Sequence, residues 1–78
     1  MRKPSPPDLR RRLAANLRRL RHEVSMTQEQ LAEAADLDRR FITKLESTEG
    51  ANASLRTIVK LANALDTTPA DLLAPPRR

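Results

Sequence analysis

Three cationic side chains stand close together in the middle of the chain, at Arg39, Arg40 and Lys44. Ile42 lies between Arg40 and Lys44, and Leu45 directly follows Lys44. Ile42 and Leu45 share one face of a helix because they are three residues apart. Burying that face turns the cations outward. An arginine guanidinium is a planar fork that donates hydrogen bonds to paired oxygen acceptors, as on a phosphate. The cluster therefore has the chemistry to bind an anionic partner, although a solvated helix face also carries such charges.

Composition excludes most other kinds of chemistry. The chain has 78 residues, of which 38% are hydrophobic, enough for one small domain. With no cysteine and one histidine it cannot form a zinc or disulfide scaffold, and the single Gly50 excludes a glycine-rich phosphate loop. No residues form a nucleophile, base and orienting group, so we expect no catalytic residue, metal or cofactor, and no enzyme.

The charge and hydropathy of the whole chain suggest a type of partner. The formal net charge is +5, which suggests nucleic acid. No apolar run approaches the roughly 20 residues of a membrane span, so we expect a cytoplasmic protein without a membrane partner. No small-molecule ligand site is evident. The charge is uneven, because residues 25–50 contain three cations and six anions.

Helix-start signals recur along the chain and divide it into five segments. A first apolar stripe runs through Leu13, Leu17, Leu20 and Val24, and no segment alternates as a strand would. We predict an all-α fold of five helices around one core over residues 6–74, with a flexible arm at 1–5 and a frayed tail at 75–78. The expected N-caps are Ser5, Thr27, Asp38, Ser54 and Thr68.

The apolar spacing between residues 28 and 45 predicts two helices that cross at a steep angle. Ala32 provides a small residue where the helices approach, Leu37 fills the turn, and Ile42 and Leu45 pack the second helix against the core.

In the fourth helix, the apolar face is predicted to comprise Leu55, Ile58, Leu61, Ala62 and Leu65.

Several runs in this region resemble the lambda-repressor/Cro-type (XRE family) helix-turn-helix proteins. They are Met26-Thr27-Gln28-Glu29-Gln30-Leu31-Ala32, Ile42-Thr43-Lys44-Leu45-Glu46, Asn52-Ala53-Ser54-Leu55 and Leu61-Ala62-Asn63-Ala64-Leu65. The run from Leu37 to Ile42 further resembles the small controller proteins of restriction–modification systems. The resemblance implies a compact five-helix, lambda-repressor-like domain whose helices 2 and 3 form the helix-turn-helix.

The resemblance also implies a function and a set of contacts. The chain would be a sequence-specific regulator of transcription that binds double-stranded DNA, with a recognition helix at about residues 38–47 in the major groove. Arg39, Arg40 and Thr43 would contact base edges, and Lys44 would contact a base or a phosphate. Candidate phosphate contacts are Gln28, Ser47, Thr48 and Asn52, and Arg21 would form a structural ion pair with Glu46.

Two positions depart from the family pattern. Asp36 stands in the turn, and Ser25 before the second helix, where glycine is usual. Aspartate is among the few other residues that tolerate a left-handed backbone, so we expect the turn to form with mild strain. Gly50 comes late, which indicates a loop one residue longer than usual after the third helix.

Apolar residues left over near the C-terminus suggest how two copies associate. We expect a symmetric homodimer on a palindromic operator, with Val59, Leu72 and Leu73 at its interface. The alternative for these leucines is that they close the monomer core. Phe41 either packs at the edge of the core or meets DNA.

Two further functions remain open from the residues alone. One is a protein-interaction module, for example an antitoxin, on the same scaffold without base readout. The other is a basic amphipathic segment at a membrane, which the arginine-rich first helix suggests. The absence of interfacial aromatic residues from that helix argues against this function.

Overall fold

A computed structural model describes residues 3–76, which form five α-helices and no β-strand. The helices are α1 (Pro6–Glu23), α2 (Gln28–Ala35), α3 (Arg39–Leu45), α4 (Leu55–Ala64) and α5 (Pro69–Leu72). The all-α, five-helix prediction is confirmed. The predicted arm and tail lie in part outside the described residues, at 1–2 and 77–78. None of the described helices is both long and apolar enough to cross a membrane.

Each helix begins at the polar residue that the sequence marks as its cap. The side chains of Ser5, Thr27, Asp38, Ser54 and Thr68 each accept a hydrogen bond from a backbone N–H in the first turn. At α1 and α2 the bond is reciprocal, since a side chain of the first turn binds the backbone of the cap. A cap of this kind contributes about 1 kcal/mol. The caps thus set where the two crossing helices start.

Leucine and isoleucine side chains from all five helices form a single core. Those without exposed surface are Leu17, Leu31, Ile42, Leu45, Leu61 and Leu72. The placement of Leu72 corrects its predicted role at the dimer interface. It is buried because the Asn16 side chain holds α5 against α1, donating from Nδ2 to the carbonyl oxygens of Leu72 (2.8 Å) and Ala74 (3.0 Å).

Leu55 is also not where the apolar pattern of α4 predicts it. It is 80% exposed, whereas Ile58, Leu61 and Leu65 are buried. Leu55 is the first residue of α4, one turn before the part of the helix that packs on the core. The i, i+3 spacing therefore identifies the correct face but does not show where the core ends along it.

Two turns next to the crossing helices use a left-handed backbone. Asp36 ends α2 with φ 56° and ψ 51°, as expected, and Ser25 has φ 57° between α1 and α2. A left-handed backbone costs a non-glycine residue roughly 1–2 kcal/mol. These two turns are therefore under mild strain.

Gly50 is the point at which the loop after α3 lies against α1. Its φ is +72°, and a Cβ atom placed on it would be 2.4 Å from the carbonyl oxygen of Arg10. Because that oxygen is backbone, it cannot rotate away. The chain's one glycine thus allows a close approach between the loop and α1 that no other residue type would permit.

We predict that Gly50→Ala lowers the free energy of unfolding by about 2 kcal/mol or more, from the overlap and the left-handed backbone. For a domain of this size, this lowers the melting temperature by about 10 °C, measurable by circular dichroism. Asp36→Gly is the matched control, because it removes the strain of a left-handed backbone at a residue that is exposed. It should raise the melting temperature slightly. A Gly50→Ala variant as stable as the parent would contradict the close approach.

Candidate nucleic-acid interface

The exposed face of α3 carries the four side chains predicted to contact bases. Arg39, Arg40, Thr43 and Lys44 are exposed, while Ile42 and Leu45 on the opposite face have no exposed surface. The structure therefore brings the four together on one face.

The cations of this face are available to a partner. Arg40 Nε lies 3.7 Å from Asp38 Oδ1, but both side chains are largely exposed, so the ion pair is weak. Among residues 3–76, the side chains of Arg39 and Lys44 have no hydrogen-bond or ion-pair partner. Three cations on a helix of seven residues thus face outward without strong internal partners.

Phe41 lies between the two faces. It is partly buried and packs against the core cluster. Of the two positions that the sequence leaves open, the structure shows the one at the edge of the core.

Arg21 and Glu46 form a buried bidentate ion pair that joins α1 to the end of α3. Arg21 Nε donates to Glu46 Oε2 at 2.8 Å and Nη2 donates to Oε1 at 2.9 Å. The third nitrogen, Nη1, donates to the carbonyl oxygen of Met26, just before α2. Only 9% of Arg21 and 5% of Glu46 are exposed. One guanidinium of α1 therefore binds both the end of α3 and the segment just before α2.

The hydrogen bond to Glu46 raises the pKa of the Arg21 guanidinium above its ordinary value; burial opposes this effect, and the carboxylate charge adds to it. A group with a raised pKa in the folded state stabilises the fold at every pH below its unfolded pKa. The contribution of the cation is therefore fully present at neutral pH.

Gln28, predicted to contact a phosphate, has its side chain bound within the protein. Its Nε2 group donates to Glu46 Oε1 at 3.1 Å, and its Oε1 atom accepts from the Thr43 hydroxyl at 2.9 Å. The side chain thus bridges α2 and α3, a contact that the sequence pattern did not suggest. The phosphate contact stays a prediction.

The other predicted phosphate contacts, Ser47, Thr48 and Asn52, are exposed in the loop between α3 and α4. Ser47 uses its hydroxyl to donate to the carbonyl oxygen of Lys44 at 2.7 Å, which stabilises the end of α3. Thr48 and Asn52 lie farther along the loop, in the part that runs beside α1. The loop thus presents three exposed polar side chains, and their phosphate contacts stay predictions.

Three arginines of α1 contact this loop. These contacts were not predicted from the sequence. The arginines contact the loop in antiparallel order, since residues later in α1 meet residues earlier in the loop. The contacts are Arg18 Nη1 with the carbonyl oxygen of Glu46, Arg11 Nη2 with Glu49 Oε1 at 3.2 Å, and Arg10 Nη1 with Asn52 Oδ1 at 3.4 Å. Much of the positive charge of α1 is therefore used within the protein.

An apolar face on α4 lies apart from the cationic face of α3. Leu55 is 80% and Val59 47% exposed, and the two are one turn apart on the helix. Beside Leu55 is a mostly apolar groove of about 240 Å³ between α1 and α4, which Leu73 also lines. Of the predicted interface residues, Val59 and Leu73 thus reach this surface, and Leu72 does not.

Comparison with known proteins identifies similar sequences and folds. Residues 16–76 match the model of the Cro/C1-type HTH DNA-binding domain. The control protein C.SmaI of Serratia marcescens is 41% identical over 66 residues, which are 85% of this chain and 77% of that protein. The crystal structure of the restriction-modification controller protein C.AhdI from Aeromonas hydrophila is 38% identical with a TM-score of 0.75, over 81% of this chain and 94% of that one.

A third protein is similar over more of the chain. The hypothetical transcription factor NHTF from Neisseria, known from a crystal structure, is 37% identical with a TM-score of 0.82. The match covers 97% of this chain and 86% of that one. The likeness therefore extends over nearly the whole chain, beyond the two crossing helices.

We predict that Glu46→Gln strongly destabilises the protein, because it leaves the buried Arg21 cation without its counter-charge. The free energy of unfolding should fall by about 3 kcal/mol, and the melting temperature by about 15 °C. Glu49→Gln is the matched control, since it removes the same charge from the exposed Arg11 pair, where the Glu49 side chain is 75% exposed. It should cost less than about 1 kcal/mol. Unchanged stability and DNA affinity in Glu46→Gln would contradict the role of the pair.

Proposed function

Because the chain belongs to the Cro/C1-type helix-turn-helix DNA-binding family and is a DNA-binding transcriptional regulator, we propose how it engages its operator. Two copies associate symmetrically, and α3 of each enters the major groove at one half of a palindromic site. Its function is binding, with no catalytic step. Acting on the DNA of a bacterium or phage, it works in the cytoplasm.

The observation that carries the proposal is the outward face of α3. Arg39, Arg40 and Lys44 are exposed while the opposite face is fully buried. An arginine fork matches the O6 and N7 acceptors of guanine, and a good bidentate pair discriminates by about 1–3 kcal/mol. We assign Arg39 and Arg40 to bases, and Lys44 to a base or a phosphate.

Residues on either side of α3 are suited to the DNA backbone. Gln28 begins α2, and Thr48 and Asn52 lie in the loop after α3. Helix starts and exposed polar side chains commonly contact phosphates, which fix the protein on the duplex without reading its sequence. We assign these residues, with Ser47, to the two strands that border the major groove.

Among regulators, the relatives favour a controller of restriction–modification genes over a phage repressor or an antitoxin. C.AhdI is described as a restriction-modification controller and C.SmaI as a control protein. We propose that this chain has the same role toward genes next to its own.

The proposed dimer uses the apolar face of α4. Leu55 and Val59 are exposed there, and Leu73 lines the adjoining groove. A two-fold contact presents the same patch from both copies, so these side chains would cover one another. The cationic face of α3 stays free for DNA.

Selection of bound duplexes from a random pool tests the proposal. The wild-type protein should enrich a palindromic site, and Arg39→Ala should lose the preference at one position in each half-site, by about 10-fold or more in affinity. Arg56→Ala removes the same charge from the exposed surface of α4 and is the control. It should leave the enriched sequence unchanged.

Binding without any enriched sequence would overturn sequence-specific regulation, leaving only an electrostatic contact. That outcome also has a steep dependence on salt, because it consists only of phosphate neutralisation.

We predict that Val59→Lys weakens dimerisation by at least about 10-fold, since it places two like charges in the apolar contact. Val24→Lys is closely matched, because Val24 is 49% exposed against 47% for Val59 and lies at the end of α1. Sedimentation velocity over a concentration series should show weaker association only for Val59→Lys. A wild-type protein that stays monomeric at high micromolar concentration would contradict the dimer.

A further inference from the structure

The hydrogen-bond chain that ends at Thr43 determines where each proton lies. A carboxylate accepts hydrogen bonds and cannot donate, so Glu46 must receive the amide N–H of Gln28. The Gln28 amide oxygen therefore faces Thr43. Because that oxygen is also an acceptor only, the Thr43 hydroxyl must be the donor. The orientation of the Gln28 amide thus follows from the Arg21–Glu46 pair.

Thr43 has consequently no hydroxyl proton left for DNA. Its Oγ1 atom is 2.9 Å from Gln28 Oε1 and 3.2 Å from the carbonyl oxygen of Arg39, and both acceptors belong to the protein. Oγ1 therefore points toward the start of α2 and back along α3. Thr43 itself is exposed, so its γ-methyl group is accessible to a partner.

We propose that Thr43 reads the C5-methyl group of a thymine by apolar contact. This inference rests on the proposed entry of α3 into the major groove. The thymine methyl is the apolar feature of that groove, and a threonine methyl is one of the groups that contact it. Base acceptors such as guanine O6 and N7 are excluded as hydrogen-bond partners of Thr43, because its only proton is already used.

The position of the thymine follows from helix geometry. Thr43 lies four residues after Arg39, which is about one turn and 6 Å along the helix axis. Base pairs are stacked about 3.4 Å apart. The thymine should therefore lie one or two base pairs from the position whose preference depends on Arg39.

Gln28 is the positioning residue for this contact. It touches no base in the proposal, but it holds the hydroxyl of Thr43 away from the DNA. Without the Gln28 acceptor, the hydroxyl keeps only the longer contact to the carbonyl oxygen of Arg39, at 3.2 Å. The threonine is then held less firmly, so the preference for a methyl group should weaken even though Thr43 is intact.

Replacing single thymines of the selected operator with deoxyuridine tests the proposal, because the exchange removes only the methyl group. One methyl group contributes about 0.8 kcal/mol, or about fourfold in affinity per half-site and about fifteenfold for two. The wild-type protein should lose this factor at one thymine in each half-site.

Two variants of Thr43 separate its methyl group from its hydroxyl. Thr43→Ser keeps the hydroxyl and should bind the thymine and deoxyuridine operators equally, at the affinity of wild-type protein for deoxyuridine. Thr43→Val keeps the methyl group and should retain the loss on deoxyuridine. Gln28→Met, whose stability is checked by its melting temperature, should reduce the preference for thymine.

The outcomes distinguish this inference from the proposed function. If the wild-type protein enriches a site but loses no affinity when its thymines are replaced with deoxyuridine, the proposed contact between Thr43 and a thymine methyl group is wrong. The proposed function is not affected by that result. The same holds if Thr43→Ser keeps the full effect, or if Thr43→Val loses affinity while Thr43→Ser does not. Failure to enrich any site overturns the proposed function, and this inference with it.

Discussion

The position of the cationic face of α3 depends on one buried ion pair. Arg21 and Glu46 meet through two short hydrogen bonds, and the third donor of the guanidinium reaches the residue just before α2. Two charges removed from water stabilise a fold only when their geometry is good and their other hydrogen bonds are satisfied. Both conditions hold here, since no buried polar side-chain atom among the described residues lacks a partner. The start of α2 and the end of α3 are thereby fixed relative to α1.

Some cations of the chain have partners within the protein and others face outward, and the net charge does not distinguish the two groups. On α1, Arg10, Arg11 and Arg18 each contact a residue of the loop after α3, so these three cations have partners within the protein. On α3 the cations have at most a weak internal partner and face outward. A total of +5 suggests nucleic acid, yet only the fold shows which cations are free to meet it.

Local chemistry explains how much of the structure could be predicted from the sequence. Caps act within three residues, and a left-handed turn needs a residue such as Asp36, so helix starts and the turn were correctly predicted. The spacing of Ile42 and Leu45 likewise predicts which face of α3 is buried. Leu55 and Leu72 were wrongly placed, because the ends of the core depend on how helices distant in sequence meet. The bond between Gln28 and Thr43 spans 15 residues, so no local pattern could indicate it.

The exposed face of α4 has a consequence for how the protein responds to its own amount. A leucine that is 80% exposed leaves the monomer with an apolar surface that, in the proposed dimer, only a second copy covers. Below the dissociation constant of such a dimer, the concentration of paired molecules grows as the square of the monomer concentration, by mass action. Doubling synthesis would then about quadruple the species that binds the whole operator. Two exposed side chains on one short helix would thus convert a gradual rise in protein into a sharper onset of regulation.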